Sequence, residues 1–128
     1  MSRFPTADHL TAWCGVAPGN NESAKKRKNT RVKKGNKYLR LAIIAAAWAA
    51  VRKKDSYWRG LYFHLRKRMQ GQKAIVVIAR RLLKVAYKTI RDKSIYEEKG
   101  LNHFMDLQLR KQNRAASSVE NAAMPATA

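Results

Sequence analysis

Leu41 to Val51 is an uninterrupted apolar run of 11 residues, LAIIAAAWAAV, with cations on both sides. A membrane-crossing helix needs about 20 such residues, so this run must find its apolar surroundings inside the protein. Its Leu, Ile and Ala content suits a helix. Because it is apolar almost all round, a helix over Lys37 to Lys54 is expected at the centre of a bundle, with the other elements packed on it. A chain of 128 residues leaves room for one compact domain and a tail. A hydrophobic share of 45% is enough to build its core.

The flanking elements follow from cap and periodicity signals. Thr6 or Asp8 can cap a short helix reaching Trp13 and Cys14, which Gly15 ends before the Pro18-Gly19-Asn20-Asn21 turn. Ser23 to Lys34 has only Ala24 and Val32 as apolar residues and is expected as a solvated or ligand-ordered loop. Gly35-Asn36 punctuates its end. Asp55 or Ser56 can cap a second helix to Met69, with Trp58, Leu61, Tyr62 and Leu65 on one face and Gly71 as its stop. Lys73 to Arg91 carries Ile75, Ile78, Ala79, Leu82, Val85, Ala86 and Ile90 at helical spacing, with Arg80, Lys84, Lys88 and Arg91 as a basic stripe. After a loop bearing Glu97 and Glu98, a weaker helix runs from Leu101 to about Arg114. No stretch alternates as a strand would. The expected architecture is all-α: a small helical bundle over residues 1–115 with a long basic loop at 23–36, and a disordered C-terminal tail at 116–128.

The charge is large and localised. There are 28 Lys and Arg against 8 Asp and Glu, a formal net charge of +20. Between Ser23 and Arg91 stand 22 of those cations and one acid, Asp55. The densest part, Lys25 to Lys37, has 8 basic residues and no acid. Like charges at this density repel unless phosphates neutralise them, and each phosphate contact releases counterions that favour binding. A nucleic acid is therefore the expected partner, contacted by Lys25, Lys26, Arg27, Lys28, Arg31, Lys33, Lys34, Lys37 and Arg40 and by Arg80, Lys84 and Lys88. Tyr38, Tyr57, Trp58 and Tyr62 could stack on bases, although aromatics at helical spacing more often pack in a core.

Several chemistries have no residues to carry them. One cysteine, Cys14, excludes an internal disulfide framework and favours a reducing compartment. His9, His64 and His103 have no ligand-spaced companions, so no metal site is expected in this chain. The segment GVAPGNNESAKK lacks phosphate-loop spacing. Ser23 remains: a hydroxyl directly before a run of cations could meet a phosphodiester while the cations neutralise developing charge, though most loop serines do nothing of the kind.

The order RFPTADHLTAWCGVAPGNNESA, a basic loop, then KKGNKYLRLAIIAAAWAA resembles the C-terminal transposase domain of the DEDD-type, RNA-guided insertion-sequence transposases, the insertion sequence 110, 116, 902 and 1111 family. The likeness extends over roughly Arg3 to Gly100 and includes the later AIVVIARRLLKVAYKTIRD segment. It implies a role in DNA transposition and recombination, with Ser23 as the candidate nucleophile. It also implies a RuvC-like domain or polypeptide, absent from these residues, whose carboxylates hold Mg2+, and a structured noncoding guide RNA. Homo-oligomers and a prokaryotic, cytoplasmic, nucleoid-associated location would follow, with no membrane partner. This chain alone would then bind DNA without cutting it. The alternative from composition is a non-catalytic nucleic-acid-binding module, either a decayed transposase or an RNA-binding protein.

Overall fold

The computed structural model describes residues 2–19, 21–23, 26–29 and 31–123, with backbone alone at 21–23 and 26–29. Among these residues the elements are α1 (Ala7–Cys14), β1 (Asn21–Ser23), β2 (Lys26–Asn29), α2 (Lys37–Arg52), α3 (Tyr57–Arg66), α4 (Gly71–Asp92) and α5 (Gly100–Ala123). Apart from Val16, every buried hydrophobic residue of the core lies in a helix, so the all-α class holds.

Three helices start where short polar side chains satisfy otherwise open backbone N–H groups. Thr6 Oγ1 accepts from His9 N, Asn36 Oδ1 from Leu39 N at 2.9 Å, and Ser56 Oγ from Arg59 N at 3.0 Å. Gly15, with φ +81°, closes α1 in the left-handed region, its N–H turned back to Ala12 O. Gly71 opens α4 instead of stopping α3, which ends at Arg66.

The apolar run forms α2 as expected, but α2 is not the centre. It buries only Ile43, Ala47 and Val51, while Leu41, Trp48 and the alanines at 45, 46 and 49 are exposed. The hub is α4, which packs against α1, α2 and α3 and contributes Ala74, Ile75, Ile78, Ala79, Leu83 and Tyr87 to the core. The reason is area. Burial stabilises in proportion to apolar surface removed from water, about 25 cal/mol per Å². The large branched side chains of α4 gain more than the small alanine face of α2 loses by staying wet.

Two further expectations are corrected. Part of the stretch expected as loop is an antiparallel hairpin, with Ser23 opposite Lys26, Glu22 opposite Arg27, and an irregularity between Asn21 and Glu22. A two-stranded ladder rests on backbone hydrogen bonds and can form without an apolar side chain, so the charge pattern conceals it. At the other end α5 continues past Arg114 to Ala123. Alanine is the best helix former and no proline occurs between Arg114 and Pro125. Ser118 Oγ also donates to Arg114 O at 2.8 Å, one turn back.

Candidate nucleic-acid interface

The site begins with two glycines in backbone contact. A Cβ on Gly15 would lie 2.8 Å from the Gly35 nitrogen, and one on Gly35 would overlap the backbone of Gly15. Asn36 N–H donates to Trp13 O at 2.9 Å across the same junction. The chain therefore leaves α1 and enters α2 at one point, and everything between residues 16 and 34 is carried on that pinned base.

From the base, Val16, Pro18, Arg31 and Val32 face the exposed side of α4 across a cleft of about 830 Å³. The opposite wall is Lys73, Val76, Val77, Arg80, Arg81 and Lys84 of α4, with Met69 from the turn before it. Among the described residues, five cations thus share one concavity with six apolar residues, and no carboxylate lines it. Low-dielectric walls strengthen the field of charges gathered in such a cleft.

One acid reaches these cations from outside the lining. Asp8, in the first turn of α1, sits 2.6 Å from Lys84 Nζ and 3.6 Å from Arg80 Nη2. The hydrogen bond from the Lys84 ammonium, then its charge, then Arg80 hold the Asp8 carboxyl below the usual carboxylate range. Arg80 Nε is buried and has no hydrogen-bond partner among the described residues.

Of the cations expected from sequence, the structure brings Arg31, Arg80 and Lys84 together in the cleft. Lys33, Lys34 and Lys37 are exposed on the approach to α2, Arg40 is half-buried on its first turn, and Lys88 is exposed one turn beyond Lys84. None of these lines the cleft. Lys25 lies outside the described residues, as do the side chains of Ser23, Lys26, Arg27 and Lys28, whose backbone belongs to the hairpin. Lys73 and Arg81 are functional candidates that sequence reasoning missed. Lys73 shares a helical face with Arg80 and Lys84 at separations of 7 and 11 residues, a spacing visible before folding.

Other chemically suggestive residues have structural work. Trp58 is core, and its Nε1–H donates to Tyr96 Oη at 3.0 Å, which in turn donates to Glu98 Oε2 at 2.9 Å. The second oxygen of Glu98 accepts from Tyr57 N at 2.8 Å, at the N-terminus of α3. Burial raises the Tyr96 phenol above its ordinary range, with Glu98 adding to it. Cys14 is fully buried; burial pushes its thiol up, opposed by the nearby Arg40 charge, so it is no candidate nucleophile. Among the described residues no group of three or more His, Cys, Asp or Glu side chains could hold a metal ion. Their donor set does not fit a divalent cation. Among the described residues no helix is long and apolar enough to cross a membrane.

Comparison with curated proteins and with solved structures gave no match. A protein-family model does match, over residues 1–63, and its description is Transposase IS116/IS110/IS902 family. The matched segment contains α1, the pinned glycines, the hairpin and α2, and ends inside α3. Residues 1–63 are thus similar to this transposase family, a match that supports a role in transposition.

Proposed function

We propose that this chain is the DNA-binding, serine-bearing part of a composite transposase active site. The observation that carries the reading is the cleft, in which Arg31, Lys73, Arg80, Arg81 and Lys84 converge with no carboxylate among the described lining residues. Phosphate contacts of this kind position a duplex and carry no base sequence. The family match over residues 1–63 supports DNA as the polyanion.

In this reading Ser23 Oγ attacks a phosphodiester, forming an Oγ–P bond as the scissile P–O bond breaks and the departing oxygen takes a proton. A serine hydroxyl is a weak nucleophile until a base removes its proton. Glu22, the acid nearest in sequence, stands opposite Arg27 in the hairpin and beside a dense run of cations. The activating groups come from a RuvC-like domain or polypeptide, with Mg2+ bound there and with target and donor chosen by a structured noncoding RNA. The setting is the DNA of a prokaryotic cytoplasm, and homo-oligomers would pair two DNA ends.

Two measurements test this. If about six phosphates are engaged, log K for a DNA duplex falls against log salt with a slope of about −5, and Lys73→Ala or Arg81→Ala each flatten it by about 0.9. An unchanged slope in both variants removes the cleft from the interface. Mixed with a family RuvC-like domain and magnesium, the chain gives a covalent protein–DNA adduct on a denaturing gel, and Ser23→Ala abolishes it while duplex affinity holds. An adduct that survives Ser23→Ala moves the nucleophile elsewhere. Transposition indifferent to Ser23→Ala would make the chain a non-catalytic binding module.

A further inference from the structure

We propose that Arg80 and Lys84 form a phosphate subsite that Asp8 fills in the free protein, and that a DNA phosphate replaces Asp8 when the duplex binds. The inference rests on the nucleic-acid reading of the cleft and adds to it an internal competitor.

The geometry of the pair is that of an anion site. A single carboxylate oxygen of Asp8 lies 2.6 Å from the Lys84 ammonium and 3.6 Å from Arg80 Nη2. An ammonium and a guanidinium converging on one oxygen is the arrangement that receives a phosphate. Asp8, Glu22 and Asp55 are the only acids in the first 91 residues, so the cleft has few intramolecular carboxylates to meet. Asp8 nevertheless reaches two of its five cations.

The fit to Asp8 is incomplete. Arg80 Nε is buried without a hydrogen-bond partner, and the 3.6 Å approach to Nη2 is beyond hydrogen-bond distance. A phosphate has oxygens to spare for the guanidinium edge that Asp8 leaves unused, and turning that edge towards it would satisfy Nε and Nη2 together. The Asp8 side chain is 69% exposed, so it can swing into solvent without disturbing the core. Exposed ion pairs add little to folding, so the fold does not require this one to stay closed. In the free protein Asp8 thus screens the cations, and only a ligand presenting several phosphates at once displaces it.

Duplex binding is measured by fluorescence anisotropy across a salt series for the wild type, Asp8→Asn, Asp8→Glu, Lys84→Ala and the Asp8→Asn/Lys84→Ala double variant. Asp8→Asn binds several-fold tighter with a slope steeper by about one, because a phosphate then meets cations whose counterions are in solution. Asp8→Glu, which keeps the charge, restores wild-type affinity, and in the Lys84→Ala background Asp8→Asn loses most of its effect. Carboxyl NMR of Asp8 gives a second readout. Its titration point moves upwards on saturation with duplex, since the carboxylate has exchanged Lys84 for a phosphate-rich neighbourhood. Unchanged or weaker binding by Asp8→Asn, or an Asp8 carboxyl that titrates at the same pH with and without duplex, would make Asp8 a bracket between α1 and α4 and overturn the proposal. If the wild type and Asp8→Asn both fail to bind duplex, it is the nucleic-acid reading of the cleft that has failed, and the swap with it.

Discussion

Gly35 is the residue on which the interface turns, although it carries no functional group. Its place beside Gly15 leaves no volume for a methyl, and the obstacle is backbone, which cannot rotate out of the way. Gly35→Ala should therefore push α1 and α2 apart at the base of the cleft. Overpacking of this kind costs about 1–3 kcal/mol, read as a lower denaturation midpoint. Duplex affinity should fall too, because Arg31 rides on the segment that the glycine pin holds. A variant with wild-type stability and affinity would show that the pin does not set the cleft. At this scale the caps at Thr6 and Ser56 were legible, each as one of two neighbouring candidates, since one polar side chain and its local backbone decide them, whereas Asn36 was read only as the end of a loop. The contact between Gly15 and Gly35 was not legible. Both read as punctuation, and nothing in one dimension says that two stops touch. Gly71 shows the same ambiguity, because a glycine after a helix and a glycine opening the next one look alike.

Among the elements, the division between working and overhanging helix is sharpest in α5. Its first turns dock on α3 at Gly60, where a Cβ would meet Leu101 Cδ1 at 2.6 Å and Phe104 Cδ1 at 2.8 Å. The segment before it is fastened by Glu98, which caps α3 through Tyr57 N and holds Tyr96 against Trp58. Residues 110–123 are exposed throughout. Glu98→Ala should then destabilise the fold by about 1 kcal/mol, the ordinary loss of a helix cap, whereas deletion of residues 115–128 should leave the melting temperature unchanged and lower only the helical circular dichroism. Equal destabilisation by both would mean that the overhang packs on something. Sequence reading placed Glu97 and Glu98 in an acidic patch and could go no further, because the role of Glu98 depends on a partner 41 residues away. It also put the hub on α2. Density of apolar letters is not buried area, and the amphipathic period of α4 was the better guide to the centre.

For the whole molecule, a net charge of +20 makes stability and binding respond to salt with opposite signs. The folded chain holds its cations closer together than the unfolded chain does, so self-repulsion opposes folding. Raising salt from 0.01 M to 0.15 M shortens the screening length from about 30 Å to about 8 Å. The melting temperature should therefore rise over the range in which duplex affinity falls. Acid should sharpen the effect. The Asp8 carboxyl is held below its ordinary range by Lys84 and Arg80, so its contribution to stability is present above the unfolded value and is lost as pH falls through the lower folded one. Acid also neutralises carboxylates generally, which removes negative charge opposing the cations. The rise in melting temperature between low and moderate salt should be larger at pH 3 than at pH 7. A melting temperature that falls with salt at pH 7 would show that attractive pairs such as Asp8–Lys84 outweigh the repulsion, and that the charge is balanced within the fold instead of being held for a polyanion.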